Sequence, residues 1–176
     1  MTVKYDVNHI NGKESCHLNY INSQFCNVYK HVCHDLIDGN VNRQRHLHPF
    51  CIAFADVAGT RSGARTSIGY LTNEPHHHSI ALIHPRIIDR FQLINNDVYW
   101  ECLATRTNGV SSVNVKPILT YSDLRKVTDY SMKFAAQHLN DDRYCEKLEL
   151  YLPKPKAKRS YLSASINRRN NGRFLS

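Results

Sequence analysis

Three consecutive histidines, His76, His77 and His78, follow Pro75 and run into the apolar stretch Ser79-Ile80-Ala81-Leu82-Ile83. On an extended chain successive side chains alternate faces, so His76 and His78 share one face about 6.6 Å apart and His77 takes the other. Two imidazoles so placed can share one metal ion. Farther along, Val127-Thr128-Asp129-Tyr130-Ser131-Met132-Lys133-Phe134 sets a tyrosine and a lysine about one helical turn apart, close enough to reach a common pocket. A phenol with a reference pKa of about 10 is a weak nucleophile at neutral pH. A neighbouring cation and a metal-polarised phosphate would make its attack feasible. Each half has a plainer explanation when taken alone: a polar run beside a turn, or a tyrosine at the edge of an amphipathic helix. Their combination points to metal-assisted attack by Tyr130 on a phosphate, with Lys133 beside it.

A third metal ligand stays open among Glu74, Asp56 and Glu101. His84 has the right parity but lies about 20 Å from His78 along an extended strand, which excludes it. The aromatics Tyr70, Tyr99 and Trp100 could stack on bases, although core packing accounts for them better.

The elements that must position these residues follow from periodicity. Phe25, Val28, Tyr29, Val32 and Leu36 recur at helical spacing from Asn22 to Ile37, and Asp38-Gly39-Asn40 supplies a stop. His48 to Val57 is an apolar run of strand length closed by a turn-rich segment, with Arg65 to Leu71 as its expected partner. The histidine strand comes next, then a helix over Pro85 to Ile94. Asp97 to Thr107 and Val110 to Leu119 read as two strands joined at Asn108-Gly109. Ser122 is expected to cap a last helix running to about Leu139. The whole reads as α+β with five strands.

The chain has 176 residues and a formal net charge of +8. That length suits a single domain, expected over residues 1–152. The segment 153–176 is a basic tail carrying Lys154, Lys156, Lys158, Arg159, Arg168, Arg169 and Arg173 and no acid, which leaves the body nearly neutral. Such an arm suits a phosphate backbone, because each neutralised phosphate releases counterions. No apolar run is long enough to span a membrane, so no membrane partner is expected. The N-terminus lacks the layout of a secretory signal, from which a cytoplasmic location is expected. The six cysteines include no C-x-x-C pair and read as reduced core residues. A zinc cluster of Cys16, His17, Cys26, His31, Cys33 and His34 would have spacings that match no standard finger.

Pro75-His76-His77-His78 with its apolar continuation resembles the histidine-hydrophobic-histidine strand of the HUH endonuclease superfamily, and Tyr130-Ser131-Met132-Lys133 resembles its tyrosine-x-x-lysine helix. Their order and separation also agree, over roughly His48 to Leu139, and the likeness is to rolling-circle replication initiators of plasmids and phages. Two departures stand out: His77 occupies the middle, normally apolar, position, and Phe50-Cys51-Ile52-Ala53-Phe54-Ala55-Asp56 lacks the usual threonines of the first motif. The resemblance implies a five-stranded antiparallel sheet flanked by helices, with Mg²⁺ or Mn²⁺ held by His76, His78 and a third residue. Tyr130 would nick one DNA strand as a 5′-phosphotyrosine, with Lys133 steadying charge, and the tail would bind DNA non-specifically. Single-stranded DNA or an origin hairpin would be the substrate, and a host polymerase and helicase are possible partners. A single-tyrosine transposase or relaxase would use the same chemistry, and a non-catalytic nucleic-acid-binding sheet is the alternative of another class.

Overall fold

A computed structural model describes residues 1–6, 14–56, 75–137 and 148–154. The first strand, β1 (Thr2–Tyr5), alternates polar and apolar, with Val3 and Tyr5 fully buried and Lys4 exposed. The helix α1 (Glu14–Leu36) buries Ile21, Phe25, Val28, Val32 and Leu36, a stripe at three- and four-residue steps. It stops where Gly39 takes φ +79, the left-handed conformation that favours glycine just past a helix end. The strand β2 (Phe50–Asp56) turns Cys51, Ala53 and Ala55 into the core beneath α1. Next come β3 (His76–Leu82), the short α2 (Ile88–Ile94) after a 3₁₀ turn at Pro85–Ile87, and α3 (Asp97–Arg106). The chain closes with β4 (Val110–Asn114), α4 (Tyr121–Gln137) and β5 (Leu148–Tyr151).

The five strands form one sheet in the order β4-β1-β3-β2-β5, and every neighbouring pair is antiparallel. Leaving aside the short α2, the elements β1-α1-β2-β3-α3-β4 make two interlocked split βαβ units, a ferredoxin-like arrangement in which β1 and β3 hold the centre. The expected α+β class with a five-stranded antiparallel sheet and flanking helices is therefore what the chain adopts. Both crossover helices lie on one side of the sheet, where Val3, Tyr5, Phe25, Val28, Ala53, Leu103 and Val113 make the core. Asp35 ties those helices together: it accepts from the Tyr99 hydroxyl at 2.8 Å and pairs with Arg106, while its carbonyl accepts from Arg90.

The strand membership departs from the sequence expectation in three places. Asp97 to Thr107 is helical, because Asn96 caps it by accepting from the Tyr99 N–H at 2.9 Å and because Trp100, Leu103 and Ala104 form the buried stripe of a helix. Asn108-Gly109 is accordingly no hairpin turn; it carries the chain from α3 into β4, with Gly109 at φ +74 and packed against the Tyr20 hydroxyl. The strand expected over Val110 to Leu119 ends at Asn114, and Lys116-Pro117-Ile118-Leu119 runs exposed toward α4. That helix is capped by Thr120 rather than Ser122: the Thr120 hydroxyl accepts from the Asp123 N–H at 3.1 Å and donates to its carboxylate at 2.7 Å. The strand expected over Arg65 to Leu71 lies outside the described residues. Among the described residues the sheet also takes in β1 and β5, neither of which periodicity announces.

Cys33 and Cys51 are core residues, and burial pushes their thiols up to about 11 and about 12, leaving them protonated and unreactive. Cys26 is half-buried, and Cys102 is exposed on α3, contrary to the expectation that all six thiols are core residues. No helix among the described residues is long and apolar enough to cross a membrane.

The helical state of 97–106 carries its own test. Asn96→Ala is expected to lower stability by about 0.5–2 kcal/mol in urea denaturation, and Asn96→Ser to keep most of it. A strand at this position would be indifferent to the loss of a cap.

Candidate metal centre

The sheet has two unlike faces. Toward the helices, β3 presents His77 and Ser79, both buried. His77 is fully enclosed: its Nδ1 accepts from the Tyr5 hydroxyl at 2.7 Å, its Nε2 donates to Asn22 Oδ1 at 3.0 Å, and its ring lies 4.8 Å from that of Phe25. Burial pushes the Tyr5 phenol well above its usual range, which suits it as donor. Burial first, and then the neighbouring His76 and His78, lower the His77 pKa to about 3. The middle histidine is thus a neutral structural residue, and its two hydrogen bonds explain how an imidazole replaces an apolar side chain there.

The opposite face carries His76 and His78. Their Nε2 atoms approach to 3.0 Å and their rings stand edge to face with centroids 4.7 Å apart. The contact is a hydrogen bond from one ring to the other, and its length also equals the separation of two adjacent ligand positions at about 2.1 Å and at right angles around an octahedral ion. The Thr2 hydroxyl stands 3.3 Å from His78 Nδ1. In the tautomer with the proton on Nδ1 the hydroxyl accepts it, and the Nε2 of His78 is then the acceptor in the contact with His76; a hydroxyl on the far nitrogen is the kind of outer partner that metal-binding histidines use.

Strand register decides which other residues share the face. Lys4 of β1 pairs with His76 and Thr2 with His78, while on the other side Asp56 of β2 pairs with His76 and Phe54 with His78. Of the three candidates for a further ligand, Asp56 is therefore the one whose backbone adjoins the pair. Glu101 is exposed on α3, in the helical layer behind the sheet, and Glu74 lies outside the described residues. Among the described residues no group of three or more His, Cys, Asp or Glu side chains converges. His84, excluded by distance, serves locally by accepting from the Arg86 N–H at 3.1 Å.

The backbone of α4 packs against β3, whose other face is already taken by α1 through His77 and Phe25. Tyr130 and Lys133 belong to this helix; their side chains are outside the description. Tyr121, at its start, is 81% exposed, in keeping with a residue off the packed stripe. Lys154 is exposed just after β5, where its N–H donates to the Arg45 carbonyl at 3.1 Å. Lys156, Lys158, Arg159, Arg168, Arg169 and Arg173 lie outside the described residues, as does Tyr70. Tyr99 and Trp100 are in the helical layer, Trp100 buried and bonded to Asn95, so they serve packing rather than stacking on a base.

Comparisons with protein families, with curated proteins and with solved structures found no match.

Sequence reasoning missed Tyr5, Asn22, Thr2 and Lys4. The only available signal was the alternation Thr2-Val3-Lys4-Tyr5, too short to distinguish a central strand from an irregular terminus.

The state of His77 has a measurable consequence. In the unfolded chain its imidazole charges near pH 6.5, whereas in the fold it stays neutral down to about 3, so below 6.5 the unfolded state binds the extra proton and stability falls with pH. From this group the metal-free protein is expected to lose roughly 2–3 kcal/mol between pH 7 and pH 4.5, read as a lower urea midpoint. His77→Leu should flatten that slope while costing about 1–3 kcal/mol at pH 7, because Tyr5 and Asn22 lose their partner. An unaltered slope in the variant would remove His77 from this role.

Proposed function

We propose that this protein nicks and rejoins single-stranded DNA through a covalent tyrosine intermediate, as rolling-circle replication initiators do. The observation that carries the reading is the His76–His78 pair, 3.0 Å apart on the open face of a central strand, with the helix of Tyr130 and Lys133 packed against that strand. The resemblance of both motifs to the HUH superfamily and the basic tail support it further.

In this reading the Tyr130 hydroxyl attacks the scissile phosphorus, and the bond from phosphorus to the 3′ oxygen breaks. The DNA 5′ end remains on the tyrosine as a phosphodiester, and the departing 3′ oxygen takes up the proton that the phenol gives up. Lys133, about one helical turn along the chain, would offset charge on the phosphate or the phenolate. Rejoining is the reverse attack by the 3′ hydroxyl. One phosphoester replaces another, so neither ATP nor a hydrolytic water is consumed. His76 and His78 would hold Mg²⁺ or Mn²⁺, which when bound supplies Lewis-acid polarisation of a phosphate oxygen. Thr2 would favour the binding tautomer of His78 by accepting its Nδ1 proton, and Asp56, the register partner of His76, would be the third ligand.

The test mixes the protein with Mn²⁺ and single-stranded DNA spanning the replicon that encodes it, then looks for an adduct that survives SDS. Wild type is expected to give one whose modified peptide contains Tyr130, and Tyr130→Phe none. His78→Ala should weaken Mn²⁺ binding in calorimetry by at least about tenfold, as loss of a direct ligand does at least as much as loss of an outer partner. DNA binding with no adduct anywhere on the replicon would replace the nickase with a non-catalytic binding sheet.

A further inference from the structure

Two cationic segments, far apart in the chain and free of acids, meet beside β2. Residues 39–55 hold Arg43 and Arg45, residues 150–176 hold the cations of the tail, and neither segment contains an aspartate or glutamate. The Lys154 N–H donates to the Arg45 carbonyl at 3.1 Å, so the tail begins against the turn that carries the two arginines. That turn is braced. The Asn40 carbonyl accepts from the Arg43 and Gln44 N–H groups at 3.0 and 3.2 Å, the Leu47 N–H donates to the Gln44 carbonyl at 2.8 Å, and the His48 ring meets the Val41 carbonyl at 3.1 Å. Val41 and Leu47 are buried, which anchors the turn on the core, while Arg43, Arg45 and Lys154 are exposed.

The charge of this turn is uncompensated. Among the described residues no carboxylate pairs with Arg43, Arg45 or Lys154, and Arg45 reaches only the Asn42 amide oxygen, at 3.2 Å. The acids that precede the two segments are already engaged: Asp38 with Arg90, Asp35 with Arg106 and Tyr99, and Glu149 with the Tyr151 hydroxyl. Asp56 stands at the far end of β2. Chain length alone keeps Lys156 within about 7 Å of Lys154 and Lys158 within about 14 Å, so further cations cannot stray far from the turn. Along β2, Phe50 lies next to the turn and Phe54 opposite His78, and four residues of extended chain span about 14 Å. The turn therefore stands clear of the histidine pair but on the strand beside it.

We infer that Arg43, Arg45 and Lys154 form a second DNA contact, the folded root of the basic tail, which holds phosphates of the strand flanking the scissile one. The inference rests on the nicking reading for the identity of the polyanion, and adds to it a binding site on the fold itself. An arginine fork takes two oxygens of one phosphate, whereas a lysine acts as a point charge, so the two arginines are the directional part of the contact. Being fixed by the turn, their backbones lose no freedom when DNA binds. The contact goes to the backbone of the DNA, so it holds the strand without selecting its sequence.

The experiment measures binding of a fluorescein-labelled single-stranded 20-nucleotide thymidine oligomer to the full chain by anisotropy, in EDTA, over a series of salt concentrations. Removing one phosphate contact lowers the slope of log affinity against log salt by about 0.7 for a single strand, which shrinks the affinity lost between 50 and 200 mM salt by about threefold. Arg43→Gln and Arg45→Gln are each expected to produce that change and to weaken binding several-fold at low salt, with the lysine variants keeping most of the slope. Asn42→Asp, exposed between the arginines and still able to accept from Arg45, should also weaken binding by placing a carboxylate in the turn. Lys116→Gln, an exposed cation just past β4 at the other edge of the sheet, is the reference for loss of charge alone. Thermal midpoints of all variants establish that each is folded. If the three turn variants alter affinity and slope no more than Lys116→Gln does, or if wild type shows no salt-dependent binding, the second contact is overturned. This readout needs neither metal nor Tyr130, so it fails independently of the covalent adduct on which the nicking reading stands.

Discussion

The neutral imidazole of His77, held between the Tyr5 hydroxyl and Asn22, is the constraint on which the arrangement of the sheet turns. Side chains on a strand repeat every second residue, so a slip of β3 by one position would exchange its faces. With three histidines in a row the apolar pattern alone specifies that register weakly, because an imidazole stands at every candidate position. The two hydrogen bonds to the middle ring remove the ambiguity: only one histidine can meet both a buried phenol on β1 and an amide on α1. Once it does, His76 and His78 face outward together. A polar network inside the core thus decides which side chains the opposite surface presents.

That division of labour runs through the molecule. The helical layer supplies rigidity, through the apolar stripe of α1 and the Asp35 contacts that tie it to α3. The sheet supplies registration, with β1 placing Thr2 against His78 and Lys4 beside His76. The fourth helix arrives on β3 from outside this core, and its capping by Thr120 fixes where it begins. Rigid strands fix the separation of the two rings better than loops would, since it is then set by the pleat and not by a flexible connection.

Much of this was legible in the residues, for identifiable reasons. The strands at 50–56 and 76–82 and the helices α1, α2 and α4 follow from long runs with a clear period, and the pairing of His76 with His78 follows from parity alone. The segment 97–106 misled because Val98-Tyr99-Trp100 is rich in strand-forming types; the cap at Asn96 and the burial of Trp100, Leu103 and Ala104 prevailed over propensity. The strands β1 and β5 have four residues each, too few for a period to register, and their pairing is decided by tertiary contacts. The role of His77 was hidden for a related reason: its partners come from residues distant in the chain, and nothing local distinguishes a ring that binds a metal from one that fills a core.

The position of β1 at the sheet centre also governs the order in which the molecule can be made. Its neighbours are β3 and β4, and the contact between Thr2 and His78 spans 76 residues. Contacts so distant close large loops before any gain is realised, which slows folding relative to chains of local contacts. During synthesis β1 waits without a partner until β3 emerges, and its second edge stays open until β4 follows. A chain cut or stalled before residue 110 therefore lacks β4, and β1, the strand beside the histidines, keeps an open edge. Assembly of the sheet is completed late in translation, once β4 and then β5 have been made.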